Sequence, residues 1–165
     1  AIRSNEVNAS ITIHRATADD AREVAMMVGE LLAEIMNAID VRAFNFDLDE
    51  TTARLREFIN EEKYFVFVAR KGSQGPAGFI ALYESYALYA EGAFGTIPEL
   101  YVRPAYRTNK LGLDLMSQAK SFGVSRGWTR LEATTPPLPQ FDRTVAFYER
   151  EGFAITGGRK LKFAL

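Results

Sequence analysis

Apolar positions recur along this chain with two different spacings, and the changes from one to the other divide it into strands and helices. Ile11-Thr-Ile-His-Arg15 alternates as a short strand. At Thr17 the run T-A-D-D sets a hydroxyl three residues before a carboxylate, the signature of a helix start. Val24, Val28, Leu31, Ile35 and Ile39 then follow at helical spacing, with Met27, Leu32 and Met36 widening the stripe. The stretch V-R-A-F-N-F-D-L-D-E after Asp40 is irregular. Leu55, Phe58 and Ile59 mark the apolar side of a second helix.

The period then falls to two. Y64-F-V-F-V-A-R70 and G78-F-I-A-L-Y83 are β-rich runs separated by K-G-S-Q-G-P, a turn signal. S85-Y-A-L-Y-A90 is a poorer strand candidate, and T96-I-P-E-L-Y-V102 a better one. Leu111, Leu115, Ala119 and Phe122 line one side of a helix ending near Gly127. A strand is predicted over Trp128–Thr135, a loop at P-P-L-P, and a helix carrying Val145, Phe147 and Tyr148 that stops at Gly152. The tail reads as a hairpin around Gly157-Gly158. The predicted order is β-α-α-β-β-β-α-β-α-β-β. Hairpins together with a crossover helix leave both α/β and α+β classes open. No repeat or linker interrupts it, so residues 1–10 are expected to be a loosely held polar segment and 11–165 a single domain.

Composition narrows the classes of function. At 165 residues and 47% hydrophobic, the chain suits one domain with a sizeable core. Twenty basic and twenty-one acidic residues leave a formal charge of -1, which gives no general pull toward nucleic acid. Without cysteine there is no disulfide, thiolate metal site or cysteine nucleophile, and the single histidine, His14, makes a zinc site improbable. No apolar run approaches the roughly 20 residues of a membrane span, and the first residues lack a signal-peptide core. The expectation is a soluble, cytoplasmic protein without membrane or nucleic-acid partners. The basic tail R159-K-L-K places alternate residues on opposite faces, as a solvated strand would. The Tyr-rich middle leaves homodimerisation open.

The stretch Y101-V-R-P-A-Y-R107-T-N-K-L-G-L-D-L115 carries the chemistry. An apolar strand breaks at Pro104, and Arg107, Thr108, Asn109 and Lys110 lead into a helix. The first N–H groups of a helix lack intrahelical partners and sit at the positive end of its dipole, so such a junction can hold an anion, most often phosphate. The pattern by itself also fits a solvated connection.

Its residues resemble the GNAT superfamily of acyl-coenzyme A-dependent N-acyltransferases. L100-Y-V-R-P-A-Y-R-T-N-K-L-G112 is similar to that family's strand, V-x-P step and Q/R-x-x-G-x-G/A helix start, and F147-Y-E-R-E-G-F153 to its aromatic–Tyr pair followed by G-F. The order of elements from Ile11 onward also fits. The resemblance implies a central, mostly antiparallel twisted sheet flanked by helices, with acetyl-coenzyme A as cosubstrate and no metal. The coenzyme pyrophosphate would lie on the backbone of Arg107, Thr108, Asn109, Lys110, Leu111, Gly112 and Leu113. Its pantetheine would run beside Leu100, Tyr101 and Val102, and the thioester would sit where this strand splays from the next.

Two departures stand out. Lys110 occupies the place of the family's first glycine. A positive φ there would strain a lysine, whereas a helical φ would avoid strain and let the ammonium reach phosphate; the second alternative is favoured here. Phe141 and Thr144 stand where many relatives carry Asn and Ala.

Acetyl transfer needs an amine stripped of its proton, a polarised carbonyl and a protonated leaving thiolate. Direct transfer within a ternary complex needs no cysteine. Glu99 is the candidate base, acting directly or through a water, with an exposed strand glutamate as the alternative. Tyr148 is the candidate acid by the resemblance, with a core aromatic as the alternative. The N–H of Leu100 or Val102 could polarise the carbonyl. His14 and Trp128 read as structural. The loop with Asp40, Phe44, Phe46, Asp47, Asp49 and Glu50 would suit a cationic amine, although Asp49 and Glu50 also fit as helix caps. Tyr83, Tyr86 and Tyr89 either line that space or support the sheet. The expected reaction is N-acetylation of a small primary amine. A peptide or protein amine, or a coenzyme-binding module without turnover, are the other readings.

Overall fold

The computed structural model describes residues 10–165, so residues 1–9, most of the expected N-terminal segment, lie outside the described residues. Strand β1 (Ile11–Arg15) is followed by a 3-10 turn (Ala18–Asp20), helices α1 (Ala21–Ile39) and α2 (Leu48–Asn60), then strands β2 (Phe65–Lys71), β3 (Pro76–Ala87) and β4 (Gly92–Val102). Helix α3 (Leu111–Arg126), strand β5 (Leu131–Ala133) and helix α4 (Asp142–Arg150) complete the order. The strands lie side by side as β1-β2-β3-β4-β5. The first three pairings are antiparallel, and β4–β5 is parallel across the α3 crossover. This is the mixed, mostly antiparallel sheet that the resemblance implies.

The first two helical segments start where the sequence offers caps. The N–H of Thr17 donates to the Asp20 carboxylate at 2.8 Å, and that of Glu50 to Asp47 at 2.8 Å. Strand β2 reads F-V-F-V-A because both of its faces are covered. Val66 and Val68 join Phe79, Ala81 and Tyr101 beneath Val24 and Met27 of α1 and Leu55 of α2. On the opposite face, Phe65 and Phe67 meet Phe122 of α3 at ring-centroid distances of 4.9 and 5.4 Å. The faces alternate because successive strand side chains do.

The chain forms two compact units, one ending at Thr134 and one beginning at Thr135. The first contains the sheet with α1, α2 and α3. The second contains α4, whose buried Tyr148 lies between the rings of Phe147 and Phe153, at centroid distances of 5.7 and 5.1 Å.

Three expectations change. The poorer strand candidate over 85–90 is the outer end of β3 followed by a 3-10 turn, Leu88–Ala90. The strand predicted over Trp128–Thr135 pairs only at Leu131–Ala133. The hairpin around Gly157-Gly158 does not form, so the two final strands of the predicted order are absent. Ile155, Leu161, Phe163 and Leu165 stand exposed instead. Alternation in that tail supplies a strand-like pattern, but no neighbouring strand in the described chain completes a ladder with it.

Candidate active site

Strand β4 changes character halfway along. Ala81 faces Glu99 while Tyr83 faces Thr96, so Ile97 and Pro98 together oppose Leu82. That extra residue is a β-bulge, and it falls at Pro98, which has no N–H to give to a ladder. Upstream of it, the N–H of Gly95 reaches Arg130 O at 3.0 Å and the carbonyl of Ala93 accepts from Thr129 at 3.1 Å, so odd-numbered residues face β5. Downstream, the N–H of Arg103 reaches Ala77 O at 2.8 Å, so odd-numbered residues now face β3. Alternation then turns the backbone groups of Leu100 and Val102 toward the β5 side. The β4–β5 ladder ends at Ile97 and Ala133, so these groups lie on an open edge.

Glu99 sits on this downstream half, on the α1–α2 face, with the small side chain of Ala81 opposite. Its Oε1 accepts from the Tyr64 hydroxyl at 3.4 Å, and its Oε2 is buried without a partner. Burial pushes its pKa up to about 7, against a smaller opposing effect of the Tyr64 hydrogen bond. Burial and the Glu99 charge in turn raise Tyr64, whose ring stacks on Tyr83 at 6.0 Å. A carboxyl half-ionised near neutrality is matched to proton exchange at physiological pH. Tyr64 could not be found from spacing, because its relation to Glu99 depends on β2 and β4 lying on either side of β3.

The junction into α3 is exposed from Arg107 to Lys110. Residues Pro104–Tyr106 form a 3-10 turn, and the N–H groups of Arg107 and Asn109 donate within the loop, to Pro104 O at 3.4 Å and Tyr106 O at 3.2 Å. Lys110 precedes the helix with φ 57° and ψ 25°. The favoured expectation of a helical φ is therefore incorrect; the backbone takes the left-handed turn that suits glycine. Leu111, Gly112 and Leu113 are the first three residues of α3, whose N–H groups have no partner within the helix. Leu111 is buried, while Leu113 is exposed.

Arg107 does not extend a free charge into solvent. Its Nη1 and Nη2 donate to the two carboxylate oxygens of Glu34 at 2.8 and 2.6 Å, and its Nε to Val102 O at 2.9 Å. Its guanidinium also lies 5.8 Å from the Tyr101 ring centroid.

Tyr148, in the second unit, is buried, and burial pushes its pKa up to about 12. Phe141 occupies the residue before α4, where the Thr144 N–H donates to its carbonyl at 3.0 Å.

The α1–α2 connection divides its acidic residues between structure and space. Asp47 caps α2, and Asp49 pairs with Arg22 at 3.2 Å. Asp40, Phe44 and Phe46 line an open pocket of about 520 Å³ with residues from the end of α1. Phe46 lies against Gly29, where a Cβ would come within 2.5 Å of its ring. Glu99 does not line this pocket. Tyr83 belongs with Tyr64 and Glu99, while Tyr86 and Tyr89 are exposed at the outer end of the β3–β4 hairpin. His14 lies 3.5 Å from Asp20, and Trp128 Nε1 donates to Glu84 at 2.7 Å, both structural contacts.

Comparison with known proteins adds an independent line. The family described as "Acetyltransferase (GNAT) family" matches residues 32–153. An aminoglycoside acetyltransferase from an uncultured soil metagenomic sample, in complex with trehalose, superposes with TM-score 0.73 at 18% identity, covering 97% of this chain and 99% of that one. A ribosomal-protein-alanine N-acetyltransferase from Brucella melitensis biovar Abortus 2308 superposes with TM-score 0.72 at 17% identity, covering 94% and 100%. A predicted acetyltransferase with acetyl-CoA from Clostridium acetobutylicum gives TM-score 0.75 at 16% identity, covering 94% and 96%. At these identities the likeness is one of fold. No curated protein sequence matches the chain.

Proposed function

Because this chain belongs to the GNAT acetyltransferase family, we propose that it transfers the acetyl group of acetyl-coenzyme A directly to a primary amine of a small molecule. The observation that carries the reading is Glu99: a half-buried glutamate whose Oε2 is buried without a partner and whose pKa is pushed up to about 7, on the half of β4 whose outer edge is open.

The open edge would take the pantetheine as an added strand, through the backbone groups of Leu100 and Val102. The pyrophosphate would rest on the first turn of α3, at the amides of Leu111, Gly112 and Leu113, with Thr108, Asn109 and Lys110 around it. The Arg107 and Asn109 amides are already used inside the loop, which concentrates the anion site on the helix itself. The coenzyme supplies the activated acetyl group. Glu99 would accept the proton of the incoming ammonium, directly or through a water, as the amine attacks the thioester carbon. An N–H on the open edge would stabilise the oxyanion. Collapse expels the thiolate, while the second proton of the attacking nitrogen passes to water, which also protonates the sulfur on release as the thiol. Tyr148, still protonated at neutral pH, would donate a hydrogen bond to that sulfur. With its pKa near 12 against about 8.5 for an ordinary thiol, it would hold the thiolate by a shared proton rather than surrender it.

For the acceptor, the pocket lined by Asp40, Phe44 and Phe46 would suit a cation with apolar surface. Aminoglycosides are polycationic amino sugars whose ring C–H faces can lie on aromatic side chains, and an aminoglycoside acetyltransferase is among the structural neighbours. A peptide amine is the second reading, supported by the likeness to the ribosomal-protein-alanine enzyme.

Thiol release from acetyl-coenzyme A over a panel of small amines and peptides tests the proposal. Small amines should support turnover, with kcat/KM rising as pH passes through about 7 and Glu99 loses its proton. Coenzyme binding without thiol release for any amine would instead make the protein a binding module.

A further inference from the structure

We propose that Glu30 and Glu34 of α1 are positioning residues for the coenzyme site, acting through Arg103 and Arg107. This rests on the reading that the first turn of α3 receives the coenzyme pyrophosphate.

The two carboxylates lie one helical turn apart and so share a face of α1. Each takes one arginine as a fork. Arg103 donates from Nε and Nη2 to Glu30 at 3.1 and 2.8 Å, and its Nη1 reaches Pro76 O at 3.0 Å. Arg107 grips Glu34 in the same two-pronged way and closes onto the end of β4 through Val102 O. The arginines flank the 3-10 turn Pro104–Tyr106, so this turn is held on both sides by one helix. Besides the forks, the segment between β4 and α3 is shaped by its own turn hydrogen bonds and by the Tyr106 hydroxyl, which donates to Gln74 at 3.2 Å; residues Arg107 to Lys110 are exposed, and Lys110 enters α3 without a side-chain cap, ahead of the buried Leu111.

The Arg107–Glu34 pair is too exposed for stability to be its main contribution. Side-chain exposure is 43% for Arg107 and 38% for Glu34, a range in which an ion pair contributes little to folding. Planar two-point geometry nevertheless fixes direction, which a single contact does not. The forks therefore set where the first amides of α3 point. They also occupy the donors that Arg107 would otherwise offer to phosphate. The alternative role, Arg107 as a phosphate ligand held back by Glu34, predicts the opposite sign.

The test compares Glu34→Gln, Arg107→Gln and the double variant, using coenzyme A as the titrated ligand. Glu34→Gln should weaken binding about tenfold, Arg107→Gln similarly, and the double variant by about the same factor, because either loss breaks one shared fork. Unfolding temperatures without ligand should stay close to wild type. Tighter binding in Glu34→Gln would overturn the proposal in favour of a restrained phosphate ligand. Unchanged affinity, or losses that multiply in the double variant, would also overturn it. Hydrogen exchange in the ligand-free proteins gives a readout independent of the coenzyme. Amides of residues 105–113 should exchange faster in Glu34→Gln, and unchanged exchange there would refute the positioning role even if wild type binds no coenzyme. Failure of wild type to bind coenzyme A would count against the proposed function instead.

Discussion

The two halves of β4 are built from one continuous strand and do opposite things. In the first half β3 pairs along Gly92–Thr96 on one edge, and β5 pairs with Gly95–Ile97 on the other. Gly95 there lies under Trp128, whose indole touches the rings of Phe65 and Phe122. From Glu99 to Val102 it keeps only the β3 ladder, turns Leu100 and Val102 to an open edge and buries one carboxylate oxygen of Glu99 without a partner. The single extra residue at Ile97-Pro98 separates them. The first half follows the rules of a packed interior, and the second breaks them at Glu99, where burying an unpaired polar atom costs free energy. Such local violations tend to collect at functional positions.

The sharpest way to break this contrast is Glu99→Gln, which keeps shape and removes the proposed base. Turnover at neutral pH should fall about 10²–10⁴-fold, or about 3–5 kcal/mol in barrier, with coenzyme A affinity nearly unchanged. Steady-state kinetics beside a direct binding titration separates the two quantities. A variant as active as wild type would remove Glu99 from the chemistry.

The same substitution makes a stability prediction of opposite sign. The folded pKa of Glu99, about 7, lies above the ordinary 4.5, so the folded state holds a proton that the unfolded chain releases. Wild-type stability should therefore decline as pH rises from about 4.5 to about 7 and change no further above that from this group. Glu99→Gln lacks this slope. Its stability relative to wild type should increase across the window by up to about 3 kcal/mol, readable from urea unfolding at several pH values. Parallel curves would mean that the carboxyl is not as desolvated as its burial indicates.

In the packed half, Gly95→Ala should cost about 1–3 kcal/mol, since a Cβ would lie 2.4 Å from Trp128 and 2.7 Å from Leu131. Denaturant unfolding measures the loss. Turnover per folded molecule should be retained, because Gly95 lies on the far side of the bulge from Glu99. A comparable loss of turnover would show that the bulge does not insulate one half from the other.

Periodicity made the regular parts of this fold legible. The stripe from Val24 to Ile39 and the run F-V-F-V-A are dictated by which faces are covered, and the helix after Lys110 starts where its apolar spacing begins. The tail shows the limit of the same signal. Arg159–Leu165 alternates, but alternation describes one strand's faces and not whether a partner is present. The site was half legible. Glu99 and the α3 junction are local features of sequence. Tyr64 beside Glu99, and Glu34 on Arg107, are meetings of residues 35 and 73 positions apart that only the topology creates. The α1 stripe was read for its apolar members, while Glu30 and Glu34 belong to another side of the same helix.

Lys110 offers the smallest effect and bears on the chemical half. A lysine at φ 57° holds its backbone where glycine is at ease. Lys110→Gly relieves that strain but lets the unfolded chain explore more conformations, and the second effect cancels part of the first. The net gain should be about 0.5 kcal/mol, a rise of about 1–2 °C in unfolding temperature without ligand. The left-handed turn is also what directs the first amides of α3, and glycine preserves it. Coenzyme A affinity should therefore fall by less than about threefold, the scale of losing one exposed charge. A loss of tenfold or more, with the gain in stability intact, would show that the Lys110 ammonium itself grips the anion. The open half of β4 would then depend on a side chain as well as on the direction of its backbone.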